Sequence, residues 1–357
     1  MVLLDSFDLQ VLSVIARHPE KSIRELSFIL KCNPKTLARR VEKLINGKIL
    51  LGVAAYLCYS ALDLELMATF IEAPSRNYEL VERVLYYFPY TRYHIRCFGK
   101  VNGLFTLVAI PYGTLPLYLE LLNILREKEV ITKYSVHRNI ARPIYSEPDF
   151  TLYDLKQGVW KFDWDRWGEE IPSAPTNFLR ENPSSILYKL SEVDIKILEQ
   201  LTANARIKRK KIAEKLGLPM YQISRRISFL EQSGVIDKYR ALFGSMLFGL
   251  YTSALLKVET TVDEVSRVGY AFSKMPFQGT LIPIQEGFIM YLAMPPVNFP
   301  KLMNILLDHA HSIDVMVTDY GTSRRYWLWP GAFKEGRWMA SREFMVDDVL
   351  KSAGLEA

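Results

Sequence analysis

Residues 190–240, LSEVDIKILEQLTANARIKRKKIAEKLGLPMYQISRRISFLEQSGVIDKYR, decide the fold, because the chain carries this pattern twice. Residues 4–57 align with 190–243 without a gap, at a constant offset of 186. Leu4, Asp8, Leu12, Leu30, Arg39, Arg40, Leu44 and Ala55 pair with Leu190, Asp194, Leu198, Leu216, Arg225, Arg226, Leu230 and Ala241. Ile15 with Leu201, Val41 with Ile227 and Ile49 with Val235 are conservative matches. Self-similarity at a fixed spacing marks a duplicated structural unit.

Each copy reads as three helices and a strand. In the first, Phe7, Val11, Leu12 and Ile15 recur at helical spacing until His18-Pro19 ends the run. Ser22 and Glu25 have the spacing of a capping box, with Leu26, Ile29 and Leu30 as the apolar face behind them. Asn33-Pro34 then supplies a cap and a proline at the first helical position. The third helix spans about 34–46, with Leu37, Val41 and Leu44 inward and Lys35, Thr36, Arg39, Arg40 and Lys43 outward. Gly47 stops it and Ile49-Leu50-Leu51 begins a strand. In the second copy Ile223, Ile227 and Leu230 point inward, Tyr221, Gln222, Ser224, Arg225 and Arg226 are outward or flanking, and Gly234 is the stop. Three helices, a short turn before the third and a following strand make the winged helix-turn-helix plan.

The stretches downstream of the two copies are also alike. After the first come a strand (64–73), a helix (78–88), two strands (91–98, 104–111), a helix (115–128) and a strand (130–140). After the second come a strand (250–260), a helix (262–275), strands (279–285, 288–294), a helix (299–309) and a strand (314–320). The order β-α-β-β-α-β is the ferredoxin-like plan. The expected fold class is α+β: two winged helix-turn-helix domains (1–60, 187–246) alternating with two ferredoxin-like domains (61–145, 247–325). A Trp-rich appendage and linker (146–186) and a Trp-rich C-terminal appendage (326–357) complete the chain. Lys156-Gln-Gly-Val-Trp160 resembles Lys334-Glu-Gly-Arg-Trp338, and all six tryptophans lie in these two appendages. They either glue each appendage onto its own domain or the other unit, or present a hydrophobic surface to a partner.

Composition narrows the functional classes. The 357 residues are 49% apolar and 24% charged, with a formal net charge of +6, which suits folded globular domains. Cys32, Cys58 and Cys97 include no CxxC pair, which argues against a disulfide framework or a Cys-rich zinc site. His309 and His311, two apart on a helix, point to different faces, and His94 and Cys97, three apart on a strand, do the same. No resident cofactor or metal is expected. Asp5 and Asp8 replace the basic start of a signal peptide, and the uncharged run Ile49–Leu62 is too short for a bilayer helix. No membrane association and a cytoplasmic location are therefore expected. No phosphate-binding loop, nucleophile elbow or HExxH motif is present.

The charge is unevenly placed. Lys31 to Lys48 holds six basic residues against Glu42, and Arg206 to Arg226 holds eight against Glu214. Together these windows exceed the surplus of the whole chain, so the remainder is net negative. Both surround the helix that a winged domain lays into the major groove, which points to double-stranded DNA as partner. Lys208, Arg209, Lys210 and Lys211, at the start of a second helix, suit phosphate contact. Arg39, Arg40, Arg225 and Arg226 suit either phosphate or guanine, Gln222 suits adenine, and Thr36 a base edge or phosphate. The copies differ, Lys35-Thr36 against Tyr221-Gln222, so an asymmetric operator is expected.

The stretch Leu190-Ser-Glu-Val-Asp194-Ile-Lys-Ile-Leu198, with Asn204-Ala-Arg206-Ile, Ile212-Ala-Glu-Lys-Leu216-Gly-Leu, Ser224-Arg-Arg-Ile227 and Leu230-Glu-Gln-Ser-Gly234-Val-Ile-Asp-Lys-Tyr239-Arg, resembles the Lrp/AsnC family of bacterial and archaeal transcription regulators. The first copy resembles it more loosely, through Leu4-Asp5, Asp8, Leu37-Ala-Arg39-Arg40-Val41 and Leu44. The resemblance implies DNA binding through the third helix, pairing through ferredoxin-like domains and a small-molecule effector, often an amino acid. A covalent duplication then lets one chain mimic the family's dimer, and leaves open a homodimer or higher assembly. In the family the turn between the second and third ferredoxin-like strands helps to form the effector pocket. That turn here is Gly99-Lys-Val-Asn102-Gly103, with Asn102 where aspartate is usual, and in the second copy Gln285-Glu286-Gly287. The glycines equally suit a plain hairpin.

Two other readings stand beside the regulator. Siroheme decarboxylases resemble this architecture and hold tetrapyrrole carboxylates in a histidine- and arginine-rich cavity, for which Arg92, His94 and Arg96 lie in the relevant strand. Winged helices also bind proteins, as in transcription adaptors.

Overall fold

The computed structural model describes residues 4–244 and 248–355. The first winged helix comprises α1 (Ser6–Arg17), α2 (Ile23–Ile29), α3 (Pro34–Asn46) and β1 (Leu50–Leu57). Its starts are those the side chains dictate. Asp5 and Asp8 form a capping box on α1, Ser22 and Glu25 form one on α2, and Asn33 accepts from the Lys35 amide at 2.9 Å ahead of Pro34. Next in the chain are β2 (Leu64–Glu72), α4 (Tyr78–Tyr87), β3 (Thr91–Gly99), β4 (Gly103–Pro111), α5 (Leu115–Glu127) and β5 (Lys133–Arg138). A connecting region holds β6 (Ile144–Ser146), the small hairpin of β7 (Tyr153–Asp154) and β8 (Val159–Trp160), and α6 (Trp164–Glu170).

The second half repeats this order. Its winged helix comprises α7 (Glu192–Ala203), α8 (Arg209–Leu216), α9 (Met220–Gln232) and β9 (Ile236–Phe243). Next come β10 (Thr252–Glu259), α10 (Val262–Phe272), β11 (Gly279–Ile284), β12 (Gly287–Met294), α11 (Phe299–Leu307) and β13 (Ser312–Arg325). The hairpin of β14 (Phe333–Lys334) and β15 (Arg337–Trp338), then α12 (Asp348–Ser352), close the chain. The expected α+β class is the observed one, and the strand pairs of the described residues are antiparallel.

The two halves are joined as two subunits would be. β1 pairs with β9 so that Ala54 lies opposite Arg240. The repeat itself makes these two positions equivalent, so a pseudo-two-fold axis passes between them, the mark of a self-complementary dimer interface. The ferredoxin-like strands run β5-β2-β4-β3 in one unit and β13-β10-β12-β11 in the other, and β3 pairs with β13 across the junction. At the other junction β6 pairs with β11. Between β5 and β6, the Asn139 amide donates to Leu66 O of β2 and the Ile140 amide to Pro283 O of β11. One segment thus bonds both edges, and the sheet closes into a barrel. Side chains of both units fill its interior, among them Phe70, Ile95, Phe105, Leu255, Ile289 and Met316.

Packing crosses between halves. The first winged helix shares its core with α10, α11 and the first appendage, and the second shares its core with α4, α5 and the C-terminal appendage. Trp160 and Trp167, in the first half, donate from Nε1 to Phe248 O and Ala271 O in the second, each at 2.9 Å. Trp338 returns the exchange by donating to Leu62 O at 2.6 Å. The tryptophans therefore clamp each appendage to the opposite unit, whereas Trp327 and Trp329 stay half exposed. The repeated Lys-x-Gly motif makes the turn of each small hairpin, where Gly158 (φ 69°) and Gly336 (φ 77°) take the left-handed conformation.

Candidate nucleic-acid interface

The third helix of each copy offers two kinds of basic side chain. On α3, Lys35, Thr36 and Arg39 are exposed, and on α9 so are Tyr221 and Arg225. Neither Arg39 nor Arg225 makes an ion pair among the described residues. Arg40, Lys43 and Arg226 are placed differently. Arg40 Nη1 donates to Asp5 Oδ2 (2.6 Å) and Asp8 Oδ1 (3.0 Å), and Lys43 Nζ to Asp8 Oδ2 (2.7 Å). The hydrogen bond to Asp5 holds the Arg40 guanidinium above its usual pKa. In the second copy Arg226 Nε donates to Asp194 Oδ1 (2.5 Å) and its Nη2 to Oδ2. Asp8 and Asp194 are wholly buried, and each is also the third residue of its helix's capping box. The repeated Arg40 and Arg226 thus fasten the third helix to the first. The sequence held the clue, since Asp8 and Asp194 recur in step with them.

The start of α8 is a second basic surface. Lys208, Arg209, Lys210 and Lys211 are all exposed, and among the described residues only Lys210 of the four pairs with an acid, Glu214 at 3.9 Å. The corresponding positions of the first copy are Ser22, Ile23, Arg24 and Glu25, with no net charge. Gln222 is half-buried and its Nε2 lies 3.2 Å from the Tyr221 hydroxyl, while Ser224 is half-buried on α9. Arg206 leans away from this surface: its Nη2 lies 3.5 Å from Pro19 O of the first winged helix, and burial lowers its pKa.

The turn residues lie at the far end of the barrel. Asn102 bonds back to Gly99 through both its amide atoms, Oδ1 accepting at 3.2 Å and Nδ2 donating at 3.3 Å. A Cβ at Gly103 would lie 2.0 Å from Ile71 O, and one at Gly287 2.1 Å from Val258 O, so close backbone approach requires glycine at both. Glu286 sits 3.4 Å from His137 of the other unit.

A bulge in β3 separates the three residues of the enzyme alternative. The register shifts between Thr91 and Tyr93. Arg92 lines a cavity of about 240 Å³ between the β1/β9 ribbon and the barrel. Arg96 instead grips Glu82 of α4 at 2.8 and 2.7 Å, with His94 4.0 Å from the same carboxylate. Burial pushes the His94 imidazole down to about 4.

Comparison with known proteins agrees with this architecture. A family model described as winged helix-turn-helix DNA-binding matches residues 190–237. The chain is 34% identical over 75 residues to an uncharacterized HTH-type transcriptional regulator of Pyrococcus abyssi, covering 21% of this chain and 48% of that protein. It is 38% identical over 64 residues to the leucine-responsive regulatory protein of Rhizobium meliloti, covering 18% and 41%. The matches thus span about half the length of these relatives or less. Over the whole chain, the fold is similar to the crystal structure of the siroheme decarboxylase NirDL, with a TM-score of 0.57 at 14% identity, covering 98% of this chain and all of that one. Among the described residues no helix is long and apolar enough to cross a membrane. The chain thus repeats one unit of winged helix and ferredoxin-like domain about a pseudo-two-fold axis, and it is similar to HTH-type transcriptional regulators that include a leucine-responsive regulatory protein.

Proposed function

We propose that the protein is a sequence-specific DNA-binding transcription regulator in which one chain does the work of a dimer. The observation that carries this reading is the pair of exposed, unpaired arginines, Arg39 and Arg225, at equivalent positions of two third helices related by the axis through Ala54 and Arg240. Lys35 and Thr36 on α3 and Tyr221, Gln222 and Ser224 on α9 are the further groups for reading bases. Arg40, Lys43 and Arg226 contribute field and helix placement. Lys208 to Lys211 would hold a phosphate backbone on one side only, which makes the favoured operator asymmetric. A gel-shift series against genomic fragments at rising salt tests this: affinity should fall steeply, because phosphate contacts release counterions. A salt-independent shift, or none at low salt, refutes it.

The shared scaffold with a siroheme decarboxylase raises the enzyme as a second reading. Against it, among the described residues no histidine lines the 240 Å³ cavity. A visible absorbance titration with an iron-tetrapyrrole separates the two readings. The non-enzymatic regulator and its small-molecule effector remain our reading.

A further inference from the structure

The cavity between ribbon and barrel has an electrostatic property that its walls leave unbalanced. Among the described residues three arginines line it, Arg92, Arg240 and Arg325, and no aspartate or glutamate does. Arg240 is compensated from behind, since its Nε donates to Glu147 at 2.8 Å. Arg92 is not. It is 6% exposed, and its Nη1 is used on the carbonyls of Thr91 (3.0 Å) and Trp327 (3.1 Å). Its Nε and Nη2 are buried with no acceptor, as is Nη1 of Arg325. Nε and Nη2 are the side of a guanidinium that grips a carboxylate with two parallel hydrogen bonds. Buried donors and charges left without partners are costly, and the groups acting on Arg92 besides burial are the phenols of Tyr59 and Tyr90.

The remaining wall is aromatic. Arg325 and Arg240 lie over the Tyr56 ring, at 5.0 and 5.1 Å from its centroid, and Phe105 and Tyr291 face in from the barrel. We propose that this chamber is a ligand site for a small aryl carboxylate, its carboxylate taken by Arg92 with Arg325 and its ring by the aromatic wall. An α-amino group would meet guanidinium and no acid, so the chamber selects against the zwitterion of an amino acid. The roof is the β1/β9 ribbon, which continues directly from α3 and α9. On the regulator reading, an occupant is therefore placed to act on both third helices.

The test is calorimetry and thermal melting of the full chain without DNA, using phenylacetate, phenylacetamide, L-phenylalanine and inorganic phosphate. Phenylacetate should bind and raise the melting temperature, while the amide and the amino acid bind at least about ten-fold more weakly. Arg92→Gln should lose phenylacetate by a similar factor while the unliganded protein melts no lower, because a buried uncompensated charge has been removed. Arg325→Gln gives a second, partial loss. Failure of phenylacetate to bind, equal binding of L-phenylalanine, or a response to phosphate alone overturns the proposal. Because no DNA is present, failure here is distinct from failure of the DNA shift.

Discussion

Adjacent arginines on α9 should have separable effects. Arg226 neutralises Asp194, whose carboxylate is wholly buried, whereas Arg225 is exposed and unpaired. Breaking a fully buried pair by removing one partner costs roughly 3–5 kcal/mol. Two features lower that figure here. The Arg226 side chain is 29% exposed, and Asp194 keeps the Ser191 amide and hydroxyl as donors at 2.7 and 2.8 Å. Arg226→Gln should therefore cost about 1–3 kcal/mol, and Arg225→Gln less than about 0.5. DNA affinity should show the reverse order: Arg225→Gln weakens binding by about 1–3 kcal/mol if it grips a base. Urea titration gives the first quantity and fluorescence anisotropy with an operator fragment the second, both on the same samples. The Asp194→Asn, Arg226→Gln double mutant should recover part of the stability, as expected of directly coupled partners. Equal stability of the two single variants, or a coupling of zero, would refute the assignment of Arg226 to the helix clamp.

The same geometry sets four more outcomes. Arg40→Gln should destabilise less than Arg226→Gln in the same urea titration, because Lys43 still reaches Asp8 at 2.7 Å. Replacing Lys208–Lys211 by alanine should flatten the slope of log affinity against log salt by about 0.9 for each phosphate no longer neutralised, with far-UV circular dichroism unchanged. Gly103→Ala should unfold or severely destabilise the protein in a thermal melt, since Ile71 O cannot yield the space. His94 should make stability depend on acid. Its folded pKa, about 4, lies below the unfolded value of about 6.5, so the unfolded chain binds the extra proton. Its contribution is whole above about 6.5 and declines towards pH 4, by on the order of 3 kcal/mol. His94→Gln should flatten that part of a stability-versus-pH curve.

The duplication, the capped helices of each winged unit and the order of the ferredoxin-like elements were legible in the sequence. Local periodicity and capping chemistry are read from neighbouring residues, and Ser22 with Glu25 or Asn33 with Pro34 states its helix start outright. The closed barrel and the exchange of appendages were not legible, because strand pairing and the bond from Trp160 to Phe248 join residues far apart in the chain. The candidate interface was legible in part. Charge on the third helix was visible, but not its division between Arg225, which faces solvent, and Arg226, which binds Asp194.

What the sequence by itself determined is the repeated unit and where its positive charge is concentrated. Amphipathic spacing, caps and composition act within a few turns of chain, so they need no knowledge of the rest. The tertiary structure alone decided that Ala54 faces Arg240 across a pseudo-two-fold axis, and that Arg92 ends in a cavity lined, among the described residues, by no acidic side chain. Both depend on how two distant halves close on each other, and a bulge of one residue in β3 is enough to send Arg92 to the chamber and His94 to the helix side.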